Sequence, residues 1–380
     1  MAAASIPDSA ADPVPPRPQS AHAEFRSRRD FGSLDGLRAA CILAVIWHHS
    51  GPGFAWLPGS QRGFLGVDMF FVISGFLIVT LLLRERRRTD AISLRNFYAR
   101  RTLRIFPAYY GVLLTLTAVY LLRDSARATL FWAELPAYLT YTSNWVPVAI
   151  FPLAWSLAAE EQFYLCWPPI EKWLRGAAVP LMLVFVVGNQ LVNFGVGIGA
   201  PETWFGRHFL ELAILQATFT PICLGVLLAH ALHDERGFAV LGRFLGLPVA
   251  AAALAVVLLA VCNVPSKDIR GLQRLSIQVL MTGTIGACVV SESNGLRRIL
   301  AQRPLVRIGV VSYGMYLYHN FVIPTVDARL PGDSDLVVFA VSAVATWLVA
   351  ELSFRGFEVR FLEWKKRFAS APSQASPRSG

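Results

Sequence analysis

The chain has 380 residues, 54% of them hydrophobic and 16% charged, and a mean hydropathy of +0.48. Soluble domains run near one quarter charged, so this composition excludes an ordinary soluble domain in favour of a lipid-embedded protein. A net charge of +10 would fit a nucleic-acid binder, but the basic residues gather between apolar runs, as on the cytoplasmic side of polytopic membrane proteins, and nucleic acid is set aside as a partner.

Residues 1–32, rich in Ala, Pro and Ser and carrying Arg26-Ser27-Arg28-Arg29, read as a disordered cytoplasmic tail. No apolar stretch follows a basic start there, so it is not a cleaved signal peptide. Residues 366–380 read as a second disordered tail, which leaves 33–365 as the membrane domain. Apolar runs at about 36–51, 64–83, 105–122, 152–171, 177–196, 209–231, 244–262, 272–291, 308–326 and 336–354 predict an all-α, polytopic fold with about ten transmembrane helices. The stretch 130–150 is interrupted by Glu134, Pro136, Asn144 and Pro147 and reads as a re-entrant or interfacial loop, its Trp and Tyr residues suiting headgroup depth.

With that stretch not spanning and the N-terminus inside, most of the 35 lysines and arginines fall on the cytoplasmic side. Were it a span, Lys365-Lys366-Arg367 would lie outside. Both termini are therefore expected in the cytoplasm, with the chain a multi-pass protein of the inner (plasma) membrane. The five cysteines (Cys41, Cys166, Cys223, Cys262, Cys288) lie in apolar runs without a Cys-x-x-Cys or Cys/His cluster. Neither a disulfide framework nor a metal site is implied.

Ionisable residues inside these runs carry the chemistry. Arg38 opens the first run and His49 follows eleven residues later, roughly 16 Å along a helix and about half a bilayer core. An imidazole at that depth is either functional or one of a pair of satisfied interfacial histidines with His48. Asp68 lies near the outer end of the second run. Glu160 and Glu161, within Trp155-Ser156-Leu157-Ala158-Ala159-Glu160-Glu161-Gln162-Phe163-Tyr164, are costly to insert and point about 100° apart, so they are expected to serve different partners.

Arg84, Arg86, Arg87 and Arg88 read as stop-transfer charge. Arg101 and Arg104 stand at i and i+3, on one face of a helix about to enter the membrane, where paired guanidiniums bind phosphates or serve as positive-inside charge. His319, within Ser312-Tyr313-Gly314-Met315-Tyr316-Leu317-Tyr318-His319, is a second deep imidazole, structural or functional.

Taken in order, five motifs resemble the membrane-bound acyltransferase family 3, whose members O-acylate bacterial surface carbohydrates, modified oligosaccharides and some macrolides. They are Asp35-Gly36-Leu37-Arg38 with His49, Gly66 to Ile78, Arg101-x-x-Arg104-Ile-x-Pro107, Trp155 to Tyr164, and Ser312 to His319. The resemblance covers about residues 33–365, the expected membrane acyltransferase domain. It implies an essential His49 paired with Arg38, and a donor-binding pair Arg101 and Arg104. Acyl-CoA, most simply acetyl-CoA, would be the donor, with no bound cofactor and a carbohydrate hydroxyl as acceptor. His49 is expected to act as general base, with an acyl-histidine intermediate as the other open route. Glu160 or Glu161 would orient it or bind sugar hydroxyls, and Asp68, Trp155, Tyr164 and His319 complete the substrate-binding candidates.

The family's Glu-basic-Pro pattern near the last span is half present, since Glu358 is followed by Val359 and Arg360. Many relatives carry a periplasmic hydrolase-like domain for which this sequence ends too early, so the membrane domain is expected to act alone or with another protein. The competing class is a transporter of a glycan or small organic acid. It would explain the spans and buried acids without needing an arginine pair aligned with an interior histidine.

Overall fold

The computed structural model describes residues 20–28, 30–51, 60–122, 125–195, 219–266, 269–332 and 334–368. Among these residues the regular elements are all helical. The first eight helices are α1 (Ala21–Ser27), α2 (Gly32–Ser50), α3 (Gly66–Thr89), α4 (Leu94–Leu121), α5 (Ala126–Leu139), α6 (Ala154–Trp173), α7 (Ala178–Asn193) and α8 (Phe219–His233). The rest are α9 (Glu235–Leu245), α10 (Ala250–Cys262), α11 (Gly271–Val290), α12 (Arg297–Leu300), α13 (Arg303–Val310), α14 (Ser312–Asp327), α15 (Asp335–Ser353) and α16 (Val359–Lys365). Polar caps fix several starts: the Ser93, Ser125 and Asp234 side chains accept from the backbone N–H groups of Asn96, Ala128 and Gly237, satisfying donors a helix leaves open.

Each of the ten apolar runs contains a helix, although the start of the run at 209–231 lies outside the described residues. Length and apolarity support fewer crossings than ten among the described residues. Among the described residues, three stretches, Ser60–Thr89, Leu94–Leu121 and Asp335–Lys365, are long and apolar enough to cross a membrane, or up to five if each of two bent pairs counts as one span. α7 is apolar but has only 16 residues, α8 is apolar over its 15 described residues, and α6 carries Glu160, Glu161, Glu171 and Lys172. The run at 244–262 is broken, α9 and α10 meeting at 73° around Pro248, which cannot continue a helix hydrogen-bond ladder.

Part of the expected N-terminal tail is also ordered. Residues 21–27 form α1, held because Phe25 is fully buried against the rings of Phe31, His233 and Phe238. In the 130–150 stretch the chain doubles back after α5. The Glu134 carboxylate accepts from the Ala149 and Ile150 backbone N–H groups at 2.8 and 3.0 Å and from the Tyr138 hydroxyl at 2.6 Å.

Glycines let the helices that carry the motifs meet backbone to backbone. A Cβ at Gly36 would overlap the Leu300 carbonyl and one at Gly309 the Asp35 carbonyl, which clamps the start of α2 between α12 and α13. Likewise α3 and α8 cross where a Cβ at Gly75 would overlap the Ile222 carbonyl and one at Gly225 the Val72 carbonyl. Small residues at crossings are the usual device where no hydrophobic force distinguishes protein from lipid. Gly75→Leu is expected to destabilise the fold by about 1–3 kcal/mol through overpacking. The thermal midpoint of the purified chain in detergent should fall; an unchanged midpoint would show that this crossing is not close.

Outside the core, large apolar side chains such as Leu114, Val184, Phe185, Val256 and Leu352 are exposed. That outward apolar coat is what helices bathed in lipid present.

Candidate active site

The Ser93 cap starts α4 early enough that Arg100, Arg101 and Arg104 all lie on its first turns. Their fates differ. Arg100 pairs with Glu85 at 3.2 Å, as Arg86 pairs with Glu171, Arg274 with Asp68 and Arg307 with Glu351. Arg101 and Arg104 make no ion pair or hydrogen bond among the described residues. Arg101 instead lies over the Tyr164 ring, its Cζ 4.2 Å from the centroid, a cation–π contact that holds the guanidinium without neutralising it. The two arginines stand one turn apart with neither guanidinium in an ion pair, an arrangement chemically suited to a phosphate.

Arg104 lines two adjoining cavities and Arg101 one of them. The inner one, of about 100 Å³, is bounded by Arg101 and Arg104 at one end and by Ser74, Glu160, Ser156 and Tyr316 further in. The outer one, of about 360 Å³, includes Asp35, Arg84, Glu358 and Leu362 in its wall. Both share Arg38, Leu77, Arg104 and Tyr313, so the charge sits at the junction. Arg38 is tied to Asp35 by a 3.1 Å ion pair. The Glu160 carboxylate accepts from the Ser74 and Tyr164 hydroxyls, giving the inner cavity one fixed acceptor group.

The two adjacent glutamates do part company. Glu161 is not in the cavity wall; it interacts with Arg101 and lies near the tyrosine cluster of Tyr109, Tyr110 and Tyr141. Tyr316 is also in the wall of the inner cavity, its hydroxyl hydrogen-bonded to Ser156 Oγ at 2.7 Å.

Behind Tyr316 stand the two histidines. The His319 ring lies 5.4 Å from that of Tyr316 and 5.1 Å from that of His49. His49 is therefore on the last turn of α2 and beside the middle of α14, brought to His319 but not into the wall of either cavity. Its Nδ1 lies 2.8 Å from the Val45 carbonyl, and because a carbonyl only accepts, Nδ1 is the donor there, so in the neutral ring the lone pair a base needs is on Nε2. His319 is arranged the same way, Nδ1–H donating to the Tyr316 carbonyl at 2.7 Å, with its buried Nε2 unpartnered. His49 is exposed, whereas His319 is fully buried.

Two further candidates sit elsewhere. Asp68 is buried and paired with Arg274 at 3.7 Å, with Gln278 donating to it at 3.4 Å, a contact to α11 that knits helices. Trp155 packs edge-on against Phe71 and is not in the cavity wall. Sequence reasoning gave no weight to Ser74, Ser156, Tyr316 or Glu358, all of which line the cavities. The first three lay inside motifs whose charged members drew the attention. Glu358 lay in the half-present pattern, and its signal is a buried acid in a π-helical turn, Phe354–Glu358, a local widening frequent at functional sites.

A family model described as an acyltransferase domain matches residues 31–352. The chain belongs to the acyltransferase 3 family. Within that family it is similar to the peptidoglycan O-acetyltransferase OatA of Listeria monocytogenes, 29% identical over 362 residues, covering 87% of this chain and 56% of the relative. It is also similar to the O-acetyltransferase OatA of Staphylococcus aureus, 29% identical over 381 residues, covering 92% of this chain and 60% of the relative. The chain thus spans under two thirds of the length of these curated relatives. No solved structure matches it. The matched region contains all ten candidate residues, from Arg38 to His319.

Proposed function

We propose that this acyltransferase-family chain is an integral membrane O-acetyltransferase that moves an acetyl group from acetyl-CoA to a hydroxyl of a carbohydrate. The observation that carries the reading is a pair of guanidiniums without an ion-pair partner among the described residues, Arg104 at the junction of a wide and a narrow cavity and Arg101 in the wall of the narrow one. An acyl-CoA has that outline: a bulky nucleotide, phosphates in the middle, and a thin arm ending in the thioester. The names of the relatives, one of them a peptidoglycan O-acetyltransferase, support a glycan hydroxyl as acceptor. With most basic residues on one face by the positive-inside rule, the arginine mouth and both termini face the cytoplasm, where the donor is made.

In the reaction, the acceptor oxygen attacks the thioester carbonyl carbon while His49 Nε2 takes its proton. The C–S bond breaks, and the departing thiolate leaves as the thiol with the proton that His49 returns. Tyr316 stands between the narrow cavity and the histidines, so the acetyl end reaches His49 when that ring swings off Ser156. Glu160, already holding the Ser74 and Tyr164 hydroxyls, orients the arm.

Incubating membranes that contain the chain with radiolabelled acetyl-CoA should place label on the lipid-linked sugar or polysaccharide fraction, dependent on the chain. Glycan moved across the membrane without label would point to transport instead and end this reading.

A further inference from the structure

The wider cavity has a feature that phosphate binding alone does not use. Glu358 is 7% exposed and lies in the wall of that cavity together with Arg38 and Arg104. One of its oxygens, Oε1, accepts from Ser353 Oγ at 3.0 Å, and Ser353 in turn accepts from the Tyr318 hydroxyl at 2.9 Å. This chain fixes the carboxylate. The π-helical turn Phe354–Glu358 is what turns it inward from the end of α15. Arg104 is near enough to interact with it electrostatically, but no ion pair joins the two among the described residues.

A buried acid in the wall of an anion site is unfavourable for phosphate, and it remains useful if the ligand brings its own N–H or O–H donors to that point. Phe31 and Phe354 line the same cavity and give it an aromatic wall, each ring held from one side by an arginine, Arg84 at 5.1 Å and Arg307 at 5.0 Å. At about 360 Å³ it falls in the range that takes a compact ring system, which the cavity of about 100 Å³ does not.

We infer that the wider cavity is a nucleoside site, in which Glu358 accepts hydrogen bonds from the base amine or ribose hydroxyl of the donor's nucleotide end. The inference rests on the acyl-CoA reading above and deepens it. It orients the donor: nucleoside against Glu358, phosphates on Arg38, Arg101 and Arg104, and the thin arm inward along Glu160.

The test measures binding of coenzyme A and of 4′-phosphopantetheine, which keeps the arm and one phosphate but lacks the nucleoside, to the purified full chain and its E358Q variant. Coenzyme A affinity should fall about tenfold, what one charge-assisted hydrogen bond is worth, while 4′-phosphopantetheine affinity stays unchanged and reports an intact fold. If both fall together, Glu358 acts through Arg104 and the nucleoside assignment is wrong. If neither falls, Glu358 contacts no ligand and the assignment is equally wrong. Should E358Q fail to fold, Leu362→Trp, which keeps the carboxylate and crowds the same cavity, must give the same selective loss. Wild-type chain that binds neither probe overturns the acyl-CoA reading itself, whereas binding that is abolished by Arg101→Ala with Arg104→Ala but indifferent to E358Q overturns only the nucleoside site.

Discussion

His49→Ala is expected to leave a folded, membrane-inserted chain that transfers acetyl about 10²–10⁴-fold more slowly, the contribution of a positioned general base. The fold should tolerate the change because the ring is exposed and its hydrogen bond is to Val45 on its own helix. His319→Ala is a contrasting case: that ring is fully buried between Tyr316 and His49, so its loss should cost stability as well as rate. The check is the initial rate of labelled acetyl transfer beside the size-exclusion profile of each variant. A His49→Ala chain with wild-type rate would remove the imidazole from the chemistry and leave the arginine cavities as a binding site only.

The second large effect concerns the donor. Replacing both Arg101 and Arg104 by Ala removes two charge-assisted phosphate contacts, each worth about 1.5–3 kcal/mol. Acetyl-CoA affinity should fall by roughly 10²–10⁴, toward the lower figure because Arg104 is solvent-accessible and its contacts are screened. Stability should fall only by the roughly 0.5–2 kcal/mol of the Arg101–Tyr164 cation–π contact, since neither side chain is in an ion pair to break. Much of the salt dependence of binding should disappear with the charges. A Lys pair should recover charge but not the planar fork, and so restore affinity only in part. Donor titrations at two ionic strengths check this, and identical curves for wild type and the double variant would refute the phosphate assignment.

The helices were largely legible in the sequence because apolar runs of helix length are hard to disguise. Breaks were less so. Pro248 marks the bend between α9 and α10, but nothing at Val311 announces that the run at 308–326 divides into α13 and α14. The ordered α1 was hidden because its one large buried residue, Phe25, sits in a stretch whose composition is that of a tail.

At the site, a charge inside an apolar run is conspicuous, so Arg38, Arg101, Arg104, Glu160 and Glu161 could all be picked out. The 100° offset between adjacent helical residues rightly separated the two glutamates, Glu160 going to the cavity and Glu161 to the tyrosine cluster. Partners distant in sequence could not be read. Asp68 looks as available as Glu160 until Arg274 is seen beside it. Arg100 looks as free as Arg101 until Glu85 is seen to claim it. Which cation stays unneutralised is a property of tertiary packing, and it is the property on which the functional reading turns.

The most direct measurement is a structure of the full chain in lipid with a non-hydrolysable acetyl-CoA analogue. Predicted are diphosphate oxygens at about 2.7–3.2 Å from Arg101 and Arg104 and an acetyl carbonyl beyond a displaced Tyr316, facing His49 Nε2. Phosphates bound away from those arginines, or an acetyl group halted at Tyr316 with the His49 ring turned outward, would contradict it.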